Sequence, residues 1–140
     1  LNSGDLLVVR GNGNRELVGR CGLVSTVPPK CFYPDLLIRL SFDDSQIIPE
    51  FACIQWNHSR IHSLLLKKAK STNGIYKING KDILSHELIV PPLEIQSAFI
   101  SQMKLSASSH GSVLSMLQSS HMLMKALVDG FLTRGDRNVY

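Results

Sequence analysis

Residues 69–99 read AKSTNGIYKINGKDILSHELIVPPLEIQSAF, and this stretch divides the chain into two kinds of sequence. Before it the chain is Gly-punctuated, basic and strand-rich. After it runs a long, nearly uncharged helical pattern. Pro91-Pro92 marks the seam. Proline lacks a backbone N–H and has a fixed φ, so it fits the first turn of a helix but not its interior. Val90 precedes a proline and is driven to extended geometry. Glu94 then falls in the first turn, where a carboxylate meets exposed N–H groups and the positive end of the helix dipole. A strand over Glu87–Val90 is therefore expected to give way to a helix beginning near Pro92.

Upstream, Asp5–Arg10 (DLLVVR) has the composition of a buried strand. Gly11-Asn12-Gly13-Asn14 is a turn or loop, since both residue types tolerate positive φ. Leu17–Val24 reads as a second strand with a bulge or close packing at Gly19 and Gly22. Leu36–Phe42 reads as a third. Pro49 opens a helix with Glu50 in its first turn. Phe51, Ile54, His58, Ile61 and Leu65 follow at spacings of three and four, which predicts one continuous amphipathic helix. Lys67, Lys68 and Lys70 crowd its C-terminal end, and Ser71-Thr72-Asn73-Gly74 ends it, with Gly74 in the left-handed position. Ile75–Ile78 is a short strand and Asn79-Gly80 a tight-turn dipeptide.

Downstream, two seven-residue series offset by three run through the helical pattern: Ile100, Ala107, Leu114, His121, Val128, and Met103, His110, Leu117, Met124, Phe131. That is the arithmetic of a coiled-coil or bundle seam. Met103, His110, Leu114, Leu117, His121, Met124, Val128 and Phe131 are the expected interface residues, with the two histidines held as neutral imidazoles. From Ile95 to Val128 the only charges are Lys104 and Lys125, so burial on several sides is expected. The expected organisation is an α+β unit over 1–92, a small mixed sheet with a helix across it, then a long helix over 93–134 and a tail over 135–140.

The chain has 140 residues and a net charge of +4, and it opens on Leu1, which suggests a piece of a longer protein. No apolar run reaches the roughly 18 residues of a membrane span. Cys21, Cys31 and Cys53 are odd in number and lack CxxC spacing, which argues against a disulfide framework or zinc site and suits a reducing cytoplasm. No acidic residue occurs between Glu50 and Asp82, whereas Arg60, Lys67, Lys68, Lys70, Lys77 and Lys81 do. Such an excess of cations suits an anionic partner, nucleic acid foremost, and the plainer alternative is a solvated basic face. The Gly/Asn loop lacks a following Gly-Lys-Ser/Thr and matches a phosphate-binding loop poorly. His58 and His62 share a helix face without an acid or cysteine to complete a metal site. No Glu-x-Lys or Asp-x-Lys occurs, no amino-methyltransferase Pro-Pro-aromatic motif is present, and the 11 acids are too scattered for acid–base work.

Together, Gly4-Asp5-Leu6-Leu7-Val8-Val9-Arg10-Gly11-Asn12-Gly13, Leu17-Val18-Gly19-Arg20-Cys21, Pro34-Asp35-Leu36-Leu37-Ile38-Arg39-Leu40, Pro49-Glu50-Phe51, Ala69-Lys70-Ser71-Thr72, Lys77-Ile78-Asn79 and Pro91-Pro92-Leu93-Glu94-Ile95-Gln96 resemble, in order and spacing, a target recognition domain of type I restriction–modification specificity subunits. The resemblance covers nearly all of residues 1–103. It implies a non-catalytic subunit that recognises double-stranded DNA, and with the residue readings above the expectation is a cytoplasmic protein with no cofactor and no metal. It also implies a long helix that pairs with an equivalent one, and partners in separate modification (methyltransferase) and motor/nuclease subunits. Only the second half of one recognition domain is covered. The candidate DNA-contacting residues are Arg10, Asn12, Asn14, Arg15, Arg20, Arg60, Lys67, Lys68, Lys70, Ser71, Thr72, Asn73, Tyr76 and Lys77. The rival expectation is a protein–protein scaffold that associates through its C-terminal helix without DNA affinity, and a phosphate-binding enzyme ranks third.

Overall fold

The computed structural model describes residues 1–109 together with Met122, Met124 and Lys125. It is α+β, with two small sheets rather than one. In the first, β1 (Leu6–Val9) lies between β3 (Cys21–Leu23) and β4 (Leu37–Leu40). In the second, β6 (Ile75–Lys77) lies between β2 (Gly11–Asn12) and β5 (Lys70–Thr72). Every strand pair among the described residues is antiparallel, so the expected mixed sheet is corrected. Only β5 and β6 are joined by a tight turn; β1 meets β3 and β4, and β2 meets β6, through longer connections. Leu6 and Val8 are fully buried while Leu7 and Val9 are half-buried, so β1 covers the core with one face only.

The expected strand over Leu17–Val24 is shorter, because Arg15–Leu17 forms a 3-10 turn and Gly19 has φ +81°. A Cβ at Gly19 would stand 3.0 Å from Leu65 Cδ2, so glycine here serves both conformation and packing. The turn is clamped from both sides. Gly19 N–H donates to Val9 O (2.8 Å), Trp56 Nε1–H donates to Gly19 O (2.7 Å), and His62 Nε2–H donates to Val18 O (2.8 Å).

The expected continuous helix is instead broken into α1 (Pro49–Asn57) and α2 (Ser59–Leu66) by an extended His58 (φ −58°, ψ 134°). The break follows from what holds Asn57. Its amide exchanges two bonds with Cys21, accepting from the backbone N–H (3.1 Å) and donating to the carbonyl (2.8 Å). Arg20 donates to the Asn57 carbonyl (2.7 Å), taking up an acceptor at the helix C-terminus. With α1 pinned to β3, α2 turns away and buries Ile61, His62, Leu65 and Leu66.

The segment before Pro91 is a single β-bridge residue, Ile89, and not the expected strand of a sheet, and a side chain meets its backbone. Gln55, 1% exposed, accepts from Ile89 N–H (2.6 Å) and donates to Ile89 O (2.8 Å). Asn79-Gly80 is not a hairpin turn either. Asn79 caps α3 (Gly80–Leu84) in a reciprocal capping box with Asp82. The helix after the prolines is α4 (Leu93–Ser109). Its Gln96 is fully buried, accepts from Ile48 N–H (2.8 Å) and donates to Gln46 O (3.0 Å) and Pro91 O (2.6 Å). Phe99 meets Phe51 edge-to-face at 5.6 Å, and Lys104 pairs with Glu50 at 2.9 Å.

Burial of α4 on several sides is not observed over its first turns. Gln96, Phe99, Ile100 and Met103 face the domain, and Glu94, Ser97, Ala98 and Ser101 face outward. One helical stripe suffices because α1 is the surface it packs on. Met103 packs on the core and Met124 is 1% exposed within it. His110, Leu114, Leu117, His121, Val128 and Phe131 lie outside the described residues.

Gln96→Leu keeps the volume of the side chain but strands three backbone groups. Each group left unpartnered in the interior costs about 1–3 kcal/mol. Urea unfolding should show a clear drop in midpoint, and an unchanged midpoint would mean that α4 is not held through this amide.

Acid sensitivity has a definite origin. Burial lowers the pKa of both His62 and His86 below the ordinary 6.5, and Lys68 adds to the effect at His86. The unfolded chain then binds protons first as pH falls, so stability declines below about pH 6.5 and levels off under the folded-state values. His86→Phe, which keeps a ring against Trp56 (4.7 Å centroid separation to His86), should flatten this slope in denaturation series between neutral and mildly acidic pH. A slope identical to the parent's would assign the acid response elsewhere.

Candidate nucleic-acid interface

Asn73 (φ +51°) and Gly74 (φ +76°) form the two-residue turn between β5 and β6. Asn-Gly with both φ positive is the turn whose twist matches a hairpin. Residues 71–74 therefore make a hairpin, not the end of a helix as expected. The register lines Lys70 up with Lys77 and Lys77 with Gly11, and Ser71 with Tyr76 and Tyr76 with Asn12. Directly opposed residues share a face. One face thus carries Lys70 and Lys77 with Thr72 and Ile75, and the other carries Ser71, Tyr76 and Asn12. Lys77 Cγ lies 3.3 Å from where a Gly11 Cβ would stand, so the lysine stem lies along the glycine backbone. Lys70 and the turn residues are exposed; Tyr76 is half-buried and packs on the core.

The neighbouring candidates join this hairpin through the backbone. Arg10, exposed, precedes β2 and its carbonyl accepts from Ile78 N–H (2.9 Å). Asn12 Oδ1 accepts from Asn14 N–H (2.8 Å), and Asn14 Oδ1 from Glu16 N–H (3.0 Å), so both amides hold the loop while remaining at its surface. Arg15 reaches Leu66 O with a long 3.4 Å bond, which places its guanidinium beside Lys67 and Lys68. Lys68 Nζ donates to Ser85 Oγ (2.8 Å) and Lys67 is exposed. The fold thereby gathers Arg10, Asn12, Asn14, Arg15, Lys67, Lys68, Lys70, Ser71, Thr72, Asn73, Tyr76 and Lys77 around one hairpin and the C-terminal end of α2. Arg20 and Arg60 are not part of that group. Arg60 stands near the start of α2, about 9 Å of helix rise from Leu66, and Arg20 is bound to Asn57 O just before that helix.

No family model matches the chain, and no solved structure matches it. The EcoKI type I restriction enzyme specificity subunit of Escherichia coli (strain K12) is 35% identical to it over 101 residues, which is 71% of this chain and 22% of the relative. The matched region belongs to the type I restriction specificity-subunit family. The chain spans about a fifth of the length of that specificity subunit. No helix among the described residues is long and apolar enough to cross a membrane.

Two features of this specificity-subunit relative escaped the sequence reading. The loop before β4 displays Phe32, 90% exposed, and Tyr33, 40% exposed, next to Lys30 at φ +57°. The loop returns to the hairpin, since Leu36 O accepts from Arg10 N–H (2.7 Å). Its signal was the aromatic pair enclosed by Pro28-Pro29 and Pro34, where a buried role had no periodicity to support it. The second feature is a cleft lined by Phe42, Ile47, Trp56, Ile83, His86 and Leu88, among others; it contains none of the basic candidates.

Proposed function

We propose that this chain is a DNA-reading part of a type I specificity subunit, and that the Lys70–Thr72/Ile75–Lys77 hairpin meets the duplex. The observation that carries the reading is the direct opposition of Lys70 and Lys77 across β5 and β6. Like charges placed opposite one another destabilise a sheet. Nothing in the acid-free stretch from 51 to 81 offsets them. A phosphate backbone brought to that face would turn the repulsion into attraction, and counterion release would make binding salt-dependent.

Lysine is a flexible point charge that suits phosphate oxygens and tells bases apart poorly. Lys67, Lys68, Lys70 and Lys77 are therefore assigned to the backbone. Arg15, Asn73, Ser71 and Thr72, at the loop and hairpin tip, are assigned to base edges or to positioning. In this reading the chain itself carries no methyl transfer or cleavage. Those belong to modification and motor/nuclease partner subunits within a cytoplasmic complex, and the segment that begins with α4 pairs with an equivalent one.

The test uses a full-length, DNA-competent specificity subunit containing this segment. Lys70→Ala should weaken target and non-target duplexes by similar factors and flatten the salt slope by about 0.9 for each phosphate no longer neutralised. Arg15→Ala should narrow the gap between target and non-target by roughly 1–3 kcal/mol. Binding and salt slope unchanged in both variants would make the hairpin a solvated face.

A further inference from the structure

Cys21 and Cys53 are far apart in sequence and close in space. Cys21 Sγ on β3 and Cys53 Sγ on α1 stand 3.7 Å apart, both half-buried and both free thiols. A disulfide needs about 2.05 Å between sulfurs, so side-chain rotation and a small approach of helix to strand would close the bond. The two backbones are already held together at this point, because Asn57 exchanges two hydrogen bonds with Cys21 one helical turn after Cys53. The Asn57 amide also lies 3.4 Å from Cys21 Sγ and 3.7 Å from Cys53 Sγ. We propose that Cys21 and Cys53 are a paired thiol oxidation site, closing reversibly to an intrachain disulfide that staples β3 to α1.

The oxidant is a hydroperoxide. Cys53 attacks first. The Cys21 thiol, the Leu23 backbone N–H and the Asn57 amide lower its pKa, whereas the shared proton and burial raise that of Cys21. The thiolate is the nucleophile in such reactions. The Cys53 thiolate displaces an alkoxide from the peroxide and becomes a sulfenic acid, and the alkoxide is protonated to the alcohol. Cys21 then attacks the Cys53 sulfur. The S–O bond breaks, and hydroxide leaves with the Cys21 proton as water. Two thiols and one hydroperoxide thus give one disulfide, one alcohol and one water. Cys31 sits in the separate loop before β4 and serves as an internal control.

The native chain is treated with tert-butyl hydroperoxide, unfolded, alkylated and mapped by mass spectrometry without reduction. The expected result is loss of two hydrogens from the intact monomer, one linked peptide pair containing Cys21 and Cys53, and an alkylated Cys31. Dithiothreitol should restore all three thiols, and the oxidised form should melt at a higher temperature than the reduced one. With Cys21→Ser, Cys53 should accumulate as a sulfenic acid that dimedone traps. Links through Cys31, disulfide-bonded dimers, irreversible oxidation of either sulfur alone, or retention of all thiols would each overturn the proposal.

Discussion

Helix α1 is fixed to its surroundings through side-chain amides that stand in for backbone. A buried N–H or C=O without a partner is costly, so almost all are satisfied. In a domain with strands as short as two to four residues, there is little sheet to do this. Gln55 supplies both bonds that a neighbouring strand would give Ile89, and Asn57 does the same for Cys21. From the other side, Gln96 satisfies the N-terminal Ile48 N–H that helix geometry leaves open. These three amides set where β3, the Ile89 segment and α4 lie, and Phe51 against Phe99 then fills the space between the helices.

Each part of the Pro-Pro-Leu-Glu-Ile-Gln lead-in thereby has a physical role. The prolines stop the extended segment and give α4 its start. Glu94 sits in the first turn, exposed. Gln96 reaches back to Pro91 O and across to α1 at once, so the helix can leave the seam in only one direction. The Lys104–Glu50 pair extends that contact along the surface, where exposed ion pairs contribute little. The direction of α4 is thus decided within its first turn by a buried amide.

Sequence pattern located β1, β4, the start of α1 at Pro49 and the start of α4, because each rests on a local signal: an apolar run, or a proline with an acid behind it. It failed where a partner remote in sequence decided the outcome. The periodicity of Phe51, Ile54, His58, Ile61 and Leu65 is real, but Asn57 and Arg20 stop the helix at His58 from another element. Asn73-Gly74 and Asn79-Gly80 are the same dipeptide with opposite fates. The first is flanked by residues able to pair as strands, and the second is followed by Asp82, three residues after Asn79, which completes a capping box. Reading the first as a helix end and the second as a tight turn exchanged the two.

The candidate surface was legible in kind and not in arrangement. Composition showed that residues 51–81 lack acids, yet it could not show that Lys70 and Lys77 face each other, since that depends on a two-residue turn fixing the register. Nor could it separate Arg20, whose guanidinium is committed to a helix C-terminus, from Arg15, whose guanidinium bond to Leu66 O is long. Under the proposed DNA-reading role, this difference bears on which arginine could contact a base. A guanidinium already satisfied by a backbone carbonyl at 2.7 Å would have to give up that bond to reach a base, whereas one held at 3.4 Å gives up little. Among the described residues, the hairpin and its adjoining loop thus gather exposed cations, whereas Arg20 at the helix junction is used to hold the fold.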